Sequence, residues 1–469
     1  MDSMVRYIKT ICPHIIYACL LVTLFGGCRS KWPEIEYEGN PSEVVFGHIA
    51  SIVPINVAIS DPLYESYTRG VGVFDNLQNG VVGEDNWKNA DIYVYAFYSP
   101  NDISGGPDDL NYSERMNSED DEKIFCLVDD AEDENIGHGK RARLNRDMGS
   151  FLQWNNDMVY YNGTYQQYRY KFFAYHVDDA ADLTRKPERW RDYVAYDVKI
   201  DGTQDLMCSC ASPTKKQLAT LNTTGNKHII NNFEQLAYST TTGHHDLFPI
   251  FRMEHQLAYV KFFLKADSVV SPDGSKKMDP EVKNVRIRNI VIKAPYHGEF
   301  IVAADDITRL GVTFTDETKD IYMPVRVEVD AEGNLETDDA GRRITVSRGE
   351  EGRVMAGDGY GFNPRIVPEP EEKELGMGFL LPPSESYEME LECSQVTTDD
   401  RGNQVESDYY TSRYQLKFEN SPFKAGHIYE VCIKVYGQRD IGLGFGDVTW
   451  KDGGEINIGS EDEDKEDGA

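Results

Sequence analysis

Apolar and polar residues alternate along much of the chain, which is the period of β-strands with one buried face. The clearest run extends from Asp91 to Tyr98, shortly before Pro100. Further runs predict strands at residues 168–177, 257–264, 285–292, 321–329, 387–393, 409–418 and 427–436. Clusters of glycine, asparagine, aspartate and proline separate these runs. The pattern therefore predicts an all-β chain of antiparallel sandwiches.

Helices contribute little to this pattern. Residues 216–221 are compatible with one or two helical turns, and the strand–helix alternation of a parallel sheet is missing. Acidic and polar residues mark three predicted loops, at residues 101–122, 129–147 and 330–358. No internal repeat is evident.

The chain of 469 residues is long enough for two or three domains. Residues 239–243 are polar and a new series of strands begins at residue 257, so we place a boundary near residue 245. This predicts an N-terminal sandwich of residues 70–245 and a C-terminal sandwich of residues 246–459. Residues 460–469 are mostly charged, and their mutual repulsion should keep this acidic tail disordered.

The N-terminus carries a secretory signal. Arg6 and Lys9 precede an apolar run at residues 11–25, which is shorter than the ~20 residues of a membrane-spanning helix. The run ends at Phe25-Gly-Gly-Cys28, and small residues before a cysteine are typical of a bacterial lipoprotein signal. We predict that residues 1–27 are removed and that Cys28 receives the lipid, although the pattern usually has an aliphatic residue at the position of Phe25. Plain secretion is the alternative, and both interpretations place the protein outside the cytoplasm.

The charge of the chain argues against one class of partner. Its formal value is −32, from 48 basic and 80 acidic residues, and such a field repels phosphate backbones. We therefore expect no nucleic acid among the partners. Aromatic residues make up 11% of the chain, which is too many for wholesale disorder.

The cysteines do not form a recognisable framework. Beyond the signal and Cys28, the chain contains Cys126, Cys208, Cys210, Cys393 and Cys432. An odd number without paired C-x-x-C spacing fits neither a dense disulfide scaffold nor a zinc site. Cys432 lies in an apolar run and is interpreted as a core residue. The sequence leaves open whether Cys393 and Cys432 form a disulfide.

Candidate reactive motifs do not converge on a reaction. His244 and His245 have no third metal ligand at a recognisable spacing, and the acidic segments 107–109 and 129–133 lack the order of an EF-hand. The glycines at 442, 444 and 446 are not followed by a helix, as a phosphate-binding loop requires. We predict no cofactor, no metal and no catalysis, although carboxylates are so abundant that a catalytic pair would be hard to recognise.

The N-terminal region combines an apolar segment with a candidate cleavage site. Residues 42–60 form a strand-like apolar run that Pro54 interrupts. A lone Arg69 follows in the small, polar segment 66–70, and a loop of this kind opens readily into a protease cleft. The alternative is an ordinary first strand followed by a loop.

The C-terminal region contains a strand that is bulky on one side only. Ile441, Leu443 and Phe445 share one face and glycines occupy the other. Such a strand suits insertion into a hydrophobic groove, with its bare face close to a neighbour. The alternative is a terminal strand of its own domain.

Taken in order, several segments resemble the fimbrillin family of Bacteroidales surface lipoproteins, which includes major and minor fimbrial subunits. The segments are Cys28, residues 68–74, Trp87 with residues 92–97, residues 154–161 with 172–175, residues 251–260, residues 423–429, and Trp450. The resemblance spans nearly the whole chain.

The resemblance implies two transthyretin-like β-sandwich domains in tandem and a structural or adhesive role in a pilus. It implies a precursor lipidated at Cys28 in the outer membrane, from which an arginine-specific protease removes residues 28–69 by cutting after Arg69. A strand of another fimbrial subunit then fills the groove, and the donor would come from about residues 441–458 because the charged tail is a poor strand. The alternative is a non-polymerising surface lipoprotein that binds a glycan or a host protein. We expect the replaceable segment at a sheet edge, since a strand paired on both sides would exchange poorly between molecules.

Overall fold

The computed structural model describes residues 57–59, 91–99, 137–144, 151–154, 169–185, 187–190, 192–212, 238–239, 242, 248–251, 253–270, 276–278, 282–347, 350, 352–357, 361–407, 409–417, 422–436, 441–448 and 453–456. All of these belong to one compact unit within residues 51–469. The predicted signal, the helical turns at 216–221, the loop at 101–122 and the acidic tail lie outside the described residues.

Strands dominate the described residues. The first part of the chain forms β1 (Val57–Ile59), β2 (Ile92–Ser99), β3 (Lys140–Leu144), β4 (Phe151–Trp154), β5 (Arg169–His176), β6 (Glu188–Arg189), β7 (Tyr193–Lys199), β8 (Met207–Cys210), β9 (Ile250–Phe251), β10 (Glu254–His255), β11 (Ala258–Ala266), β12 (Ser268–Val270) and β13 (Lys276–Met278). The remainder forms β14 (Val285–Pro295), β15 (His297–Ala304), β16 (Gly311–Phe314), β17 (Thr318–Tyr322), β18 (Val325–Val327), β19 (Thr345–Val346), β20 (Arg353–Met355), β21 (Lys373–Leu381), β22 (Tyr387–Thr398), β23 (Gln404–Glu406), β24 (Tyr410–Leu416), β25 (Ile428–Val435), β26 (Ile441–Val448) and β27 (Gly453–Ile456).

Short 3-10 helices at Val282–Asn284 and Ile307–Arg309 accompany the strands. Within the described ranges, none of the helical segments is long and apolar enough to span a bilayer.

The first pair of sheets forms around β2 and β5, whose alternating aromatic residues pack in the core between the sheets. An eight-stranded sheet has the order β10-β8-β5-β2-β3-β4-β1-β9, and a four-stranded sheet has the order β16-β15-β7-β6. All eight residues of β5 are buried. The core shared by these sheets is rich in tyrosine and phenylalanine and includes Tyr95, Phe97, Phe173, Tyr175, Tyr196, Val198, Phe300 and Val302.

The second pair of sheets encloses a more aliphatic core. One sheet has the order β21-β11-β25-β26-β27, and the other has the order β17-β14-β22, with β23 and β24 both paired to β22. Their shared core includes Val260, Phe262, Ile290, Ile292, Phe379, Met389, Leu391, Val431 and Ile433. Two of the strand pairs are parallel, β1 with β9 and β11 with β25.

A bulge in β21 connects the two cores. Its register against β11 shifts between Val260 and Phe262, and Gly376 and Gly378 take positive φ angles of 56° and 80° there. Side chains rarely adopt such angles, so glycine suits both positions. The bulge places Met377 in the first core, whereas Leu375 and Phe379 lie in the second.

Strands from both sides of residue 245 pair with each other. β10 joins β8, and the consecutive strands β14 and β15 enter different sheets, with β15 paired to β7. The chain thus crosses between the two sandwiches at Tyr296. The division into domains at residue 245 stays a prediction.

The prediction of an all-β chain with antiparallel sheets is confirmed, and each of the eight predicted strands has a counterpart. The strand predicted at 321–329 is divided into β17 and β18 around Pro324, which has no backbone N–H to donate. The predicted loop at 129–147 contains β3, and the loop at 330–358 contains β19 and β20, so those predictions were wrong in part. The transthyretin-like arrangement stays a prediction.

Candidate functional site

The N-terminal strand β1 is paired on both sides. Val57 lies opposite Leu152 of β4 in an antiparallel pair, and Ile59 lies opposite Phe251 of β9 in a parallel pair. The expectation of an edge strand is therefore wrong for Val57–Ile59. The edge is formed by β9, a two-residue strand that comes from a distant part of the chain.

The neighbours of β1 carry apolar side chains into the protein. Leu152 and Trp154 of β4 are buried, and Phe251 of β9 is completely buried. Loss of β1 would uncover the backbone N–H and C=O groups of both β4 and β9, beside this apolar surface. Two facing strand edges of this kind can accept one new strand between them.

The C-terminal candidate strand is also paired within its own chain. In β26, Ile441, Leu443 and Phe445 lie opposite Val435, Ile433 and Val431 of β25. The other side of β26 pairs with β27, which has no second neighbour among the described strands. The interpretation of β26 as a donor strand stays a prediction, and donation would require opening its own sheet.

Several predicted site residues lie outside the described residues. These are the lipidation site Cys28, the cleavage site Arg69, Cys126 and the His244-His245 pair. Among the residues that the structure does describe, no three histidine, cysteine or acidic side chains gather as a metal site.

The described cysteines, Cys208, Cys210, Cys393 and Cys432, are free thiols. Cys393 is buried in the second core, whereas Cys432 is half-buried and its Sγ contacts Glu372 at 3.7 Å. The interpretation of Cys432 as a core residue was wrong because the inward positions of β25 are Val431 and Ile433. Burial raises the pKa of the Cys393 thiol to about 12, and that of Cys432 to about 11 with a further contribution from Glu372.

A chain of buried hydrogen bonds holds residues 137–140 against the first core. His138 Nδ1 lies 2.6 Å from the Tyr196 hydroxyl, and its Nε2 lies 2.6 Å from the Leu183 carbonyl oxygen. The Tyr175 hydroxyl is 2.6 Å from that of Tyr196 and donates to the His138 carbonyl at 2.8 Å. Burial, together with the neighbouring phenols, raises the pKa of Tyr175 well above its usual value. No local sequence signal connects these residues, which are distant along the chain.

A second buried network contains an ion pair. His176 Nε2 lies 2.7 Å from Asp178 Oδ1, and its Nδ1 lies 2.9 Å from the Asp91 carbonyl oxygen. The Asp205 backbone N–H donates to Asp178 at 2.8 Å. Burial opposes both charges, but the Asp178 carboxylate and its hydrogen bond, helped by Asp91 and Asp205, raise the pKa of His176 to about 9. His176 and the Asp205 N–H in turn lower the pKa of Asp178 despite burial.

The solved structures contain folds similar to this chain, although no family model and no curated protein matches it. A fimbrial protein from Bacteroides vulgatus has a TM-score of 0.41 and 10% identity, covering 85% of this chain and 99% of its own. A candidate cell-adhesion protein from Bacteroides uniformis gives 0.38 and 11%, with coverage of 85% and 99%. The fimbrial anchor protein Mfa2 from Porphyromonas gingivalis gives 0.27 and 11%, with coverage of 87% and 98%.

Proposed function

We propose that this chain is a structural or adhesive subunit of a cell-surface fimbrium, exported as a lipoprotein with its lipid on Cys28. Because β1 is paired on both sides, it would exchange poorly in the uncut chain, so the support for the proposal is the chain connection of β1, which a cut at Arg69 would sever. This strand of three residues lies between β4 and β9 and is joined to the remainder of the fold through the segment that contains Arg69.

Cleavage after Arg69 would leave β1 attached by non-covalent contacts alone. Two of its residues pair with β4 and two with β9. A backbone hydrogen bond contributes a net ~0.5–1.5 kcal/mol, so the pairings of Val57–Ile59 by themselves would hold the severed strand only weakly. Release would expose the facing edges of β4 and β9, and a longer strand from another subunit would pair with both.

The donor strand in this proposal comes from about residues 441–458, which contain β26 and β27. β27 is the segment most readily released, because its four residues pair with β26 alone. β26 carries the apolar residues Ile441, Leu443 and Phe445, but it must also separate from eight partner residues in β25. Burial of its three large side chains in a groove, at about 1.5–3 kcal/mol each, would offset part of that cost.

A second candidate function is a non-polymerising surface lipoprotein that binds a glycan or a host protein. The two-sided pairing of both β1 and β26 favours it, because neither strand is free to exchange in the uncut chain.

Treatment of the purified precursor with an arginine-specific protease at high concentration separates the two candidates. SDS-resistant ladders on gels support the fimbrial subunit, whereas a monomer that is trimmed at Arg69 and stays monomeric supports the binding protein. Arg69→Lys is the matched control, since it keeps the charge but resists an arginine-specific protease. Ladders that form equally well from Arg69→Lys would contradict cleavage at this position.

The lipid anchor has its own test. Cells that express the protein are fed labelled palmitate, and the label should enter the wild-type chain but not Cys28→Ala. Incorporation into Cys28→Ala would refute the lipid assignment and, with it, the proposed outer-membrane location.

A further inference from the structure

An exposed tryptophan stacks on a neighbouring tyrosine at the end of the β6–β7 hairpin. Trp190 follows β6, and its backbone N–H donates to the Tyr193 carbonyl at 2.8 Å. Its indole stacks on the Tyr193 ring, with centroids 5.9 Å apart and planes inclined by 18°. The stack covers part of the indole, yet 49% of the Trp190 surface is exposed.

A second segment of the chain supports this stack from the side. The Arg309 guanidinium carbon lies 4.1 Å from the centre of the Tyr193 ring, and Arg309 also forms an ion pair of 2.5 Å with Asp192. The Asp305 backbone N–H donates to the Asp192 carbonyl at 2.9 Å. Tyr193 itself packs against the small buried group Ala195, Ile301 and Ala304. The hairpin and the turn that begins at Asp305 are therefore fastened together.

The exposed part of the Trp190 side chain is accessible to a ligand. A large apolar residue in water forgoes the gain of burial, and Trp190 is among the most exposed large apolar residues that the structure describes. Its ring is already ordered by the stack, so a ligand would not have to restrict it. Preorganisation of this kind lowers the entropic cost of binding.

We propose that Trp190, Asp192 and Arg309 form a binding site for a neutral carbohydrate ring. The C–H face of a pyranose is flat and weakly polarised, and it packs well against the electron-rich face of an indole. Sugar hydroxyls both donate and accept hydrogen bonds. In the same group of contacts around Tyr193, Arg309 supplies donors and Asp192 supplies acceptors, and the two side chains are 35% and 50% exposed.

The charge of the protein narrows the ligand class. A net charge of −32 repels anionic sugars such as sialylated or sulfated glycans, so neutral rings are favoured. A single ring on an open surface gives weak binding, with Kd on the order of 1 mM, and repetition of subunits on a cell surface would raise the avidity. This inference rests on the proposed location of the subunit at the cell surface. It does not require the subunit to polymerise.

The test uses purified chain with ¹⁵N-labelled tryptophan, whose five indole N–H signals are followed by NMR. The signal of Trp190 is assigned from its absence in Trp190→Phe. The probes are cellotriose, mannotriose and N-acetyllactosamine, with sialylated N-acetyllactosamine as the anionic counterpart and a proline-rich peptide as the non-sugar ligand. We expect at least one neutral sugar to shift the Trp190 signal, and the sialylated form to bind more weakly.

Variants then locate the site. Trp190→Ala should weaken binding of the active sugar at least tenfold, and Asp192→Asn should weaken it several-fold. Tyr409→Ala should leave it unchanged, since Tyr409 is also an exposed aromatic residue, 54% exposed with Arg288 at 4.0 Å from its ring. The proposal is overturned if no neutral sugar shifts the Trp190 signal, if the peptide alone does so, or if Trp190→Ala binds as the wild type. The first two outcomes are measured on the unmodified chain and need a variant only for the assignment of the Trp190 signal, and neither depends on fimbrial assembly.

Discussion

Ala58 lies opposite Phe151 across the antiparallel pair of β1 and β4. On its other side Ala58 is paired with Ile250 of β9, so the N-terminal strand is enclosed rather than peripheral. An enclosed strand cannot be displaced from one side alone. In our account, cleavage after Arg69 must therefore come before any exchange between molecules.

A disulfide across this pair should lock β1 in place. We expect the oxidised double variant Ala58→Cys/Phe151→Cys to be cut by the arginine-specific protease and yet to remain monomeric, because the severed strand cannot leave. Reduction should restore SDS-resistant ladders to the level of the cut wild type. The single variants serve as controls, and ladders from the oxidised double variant would contradict release of β1.

The buried His176–Asp178 pair should make stability depend on pH. Below about pH 6.5 both the folded and the unfolded chain hold the histidine proton, and the contribution is fully present. As the pH rises from there through the folded pKa of about 9, only the folded state keeps the proton, so stability falls. At ~1.4 kcal/mol per pKa unit, the loss is about 3 kcal/mol. On the acidic side, the lowered pKa of Asp178 means that its contribution disappears as the pH falls through that pKa.

Urea unfolding at a series of pH values measures this dependence. Asp178→Asn should destabilise the chain by about 3 kcal/mol near neutral pH and remove most of the slope above pH 6.5. Asp179→Asn, at the exposed neighbouring position, should change stability by less than about 0.5 kcal/mol. An unchanged slope in Asp178→Asn would show that another group titrates.

The thiols should be free and slow to react. Burial raises the pKa of Cys208, Cys210 and Cys393 to about 12, so the reactive thiolate form of these residues is scarce at pH 8 in the folded chain. We expect Cys432 to alkylate first among the four under native conditions, and all four to alkylate in denaturant without reductant. Mass spectrometry of the peptides checks both, and a Cys393–Cys432 disulfide would contradict the structure.

The sequence predicts strands well where apolar and polar residues alternate strongly. It predicts them poorly where a segment becomes a strand because it pairs with neighbouring strands of the sheet. In the part of the chain that the structure describes, the predicted strands with alternating aromatic or aliphatic residues are present, such as β5 and β25. β3 reads Lys-Arg-Ala-Arg-Leu, which looks like a charged loop, but Lys140 and Ala142 are buried because β2 and β4 flank it. The enclosed position of β1 depends on β9, a two-residue strand that no local sequence pattern predicts. The stack of Trp190 on Tyr193 likewise depends on Arg309, which is distant in sequence.

A turn that occurs three times in acidic segments of the chain was also not predicted from the sequence. Asp330, Asp338 and Asp399 each begin the pattern Asp-x-x-Gly-Asn/Arg, and each carboxylate accepts from the backbone N–H groups two and four residues later. Each glycine N–H donates to the carbonyl of its aspartate. These carboxylates close hairpins, so the acidic character of residues 330–342 reflects turn formation as well as solvation. The spacing of aspartate and glycine was the available signal.

Removal of one such carboxylate should loosen one hairpin. Asp399 accepts from Arg401 and Asn403 at 2.9 and 2.7 Å, and the Asn403 and Arg401 contacts lower its pKa. We expect faster amide exchange at Asn403 in Asp399→Ala, and loss of protection in the wild type as the pH falls through the lowered pKa. Asp400→Ala is the adjacent control and should leave exchange at Asn403 as it is. Equal exchange in both variants would show that the carboxylate does not hold the turn.

Amide hydrogen exchange in β4 and β9, followed by mass spectrometry, tests the central claim most directly. The account predicts protection at Leu152 and Phe251 in the uncut chain, loss of protection after cleavage at Arg69 in dilute solution, and recovery once the cut chain is concentrated and forms ladders. Protection that persists in the dilute cut monomer, or that is lost and never recovers at high concentration, would contradict replacement of the N-terminal strand by a neighbouring subunit.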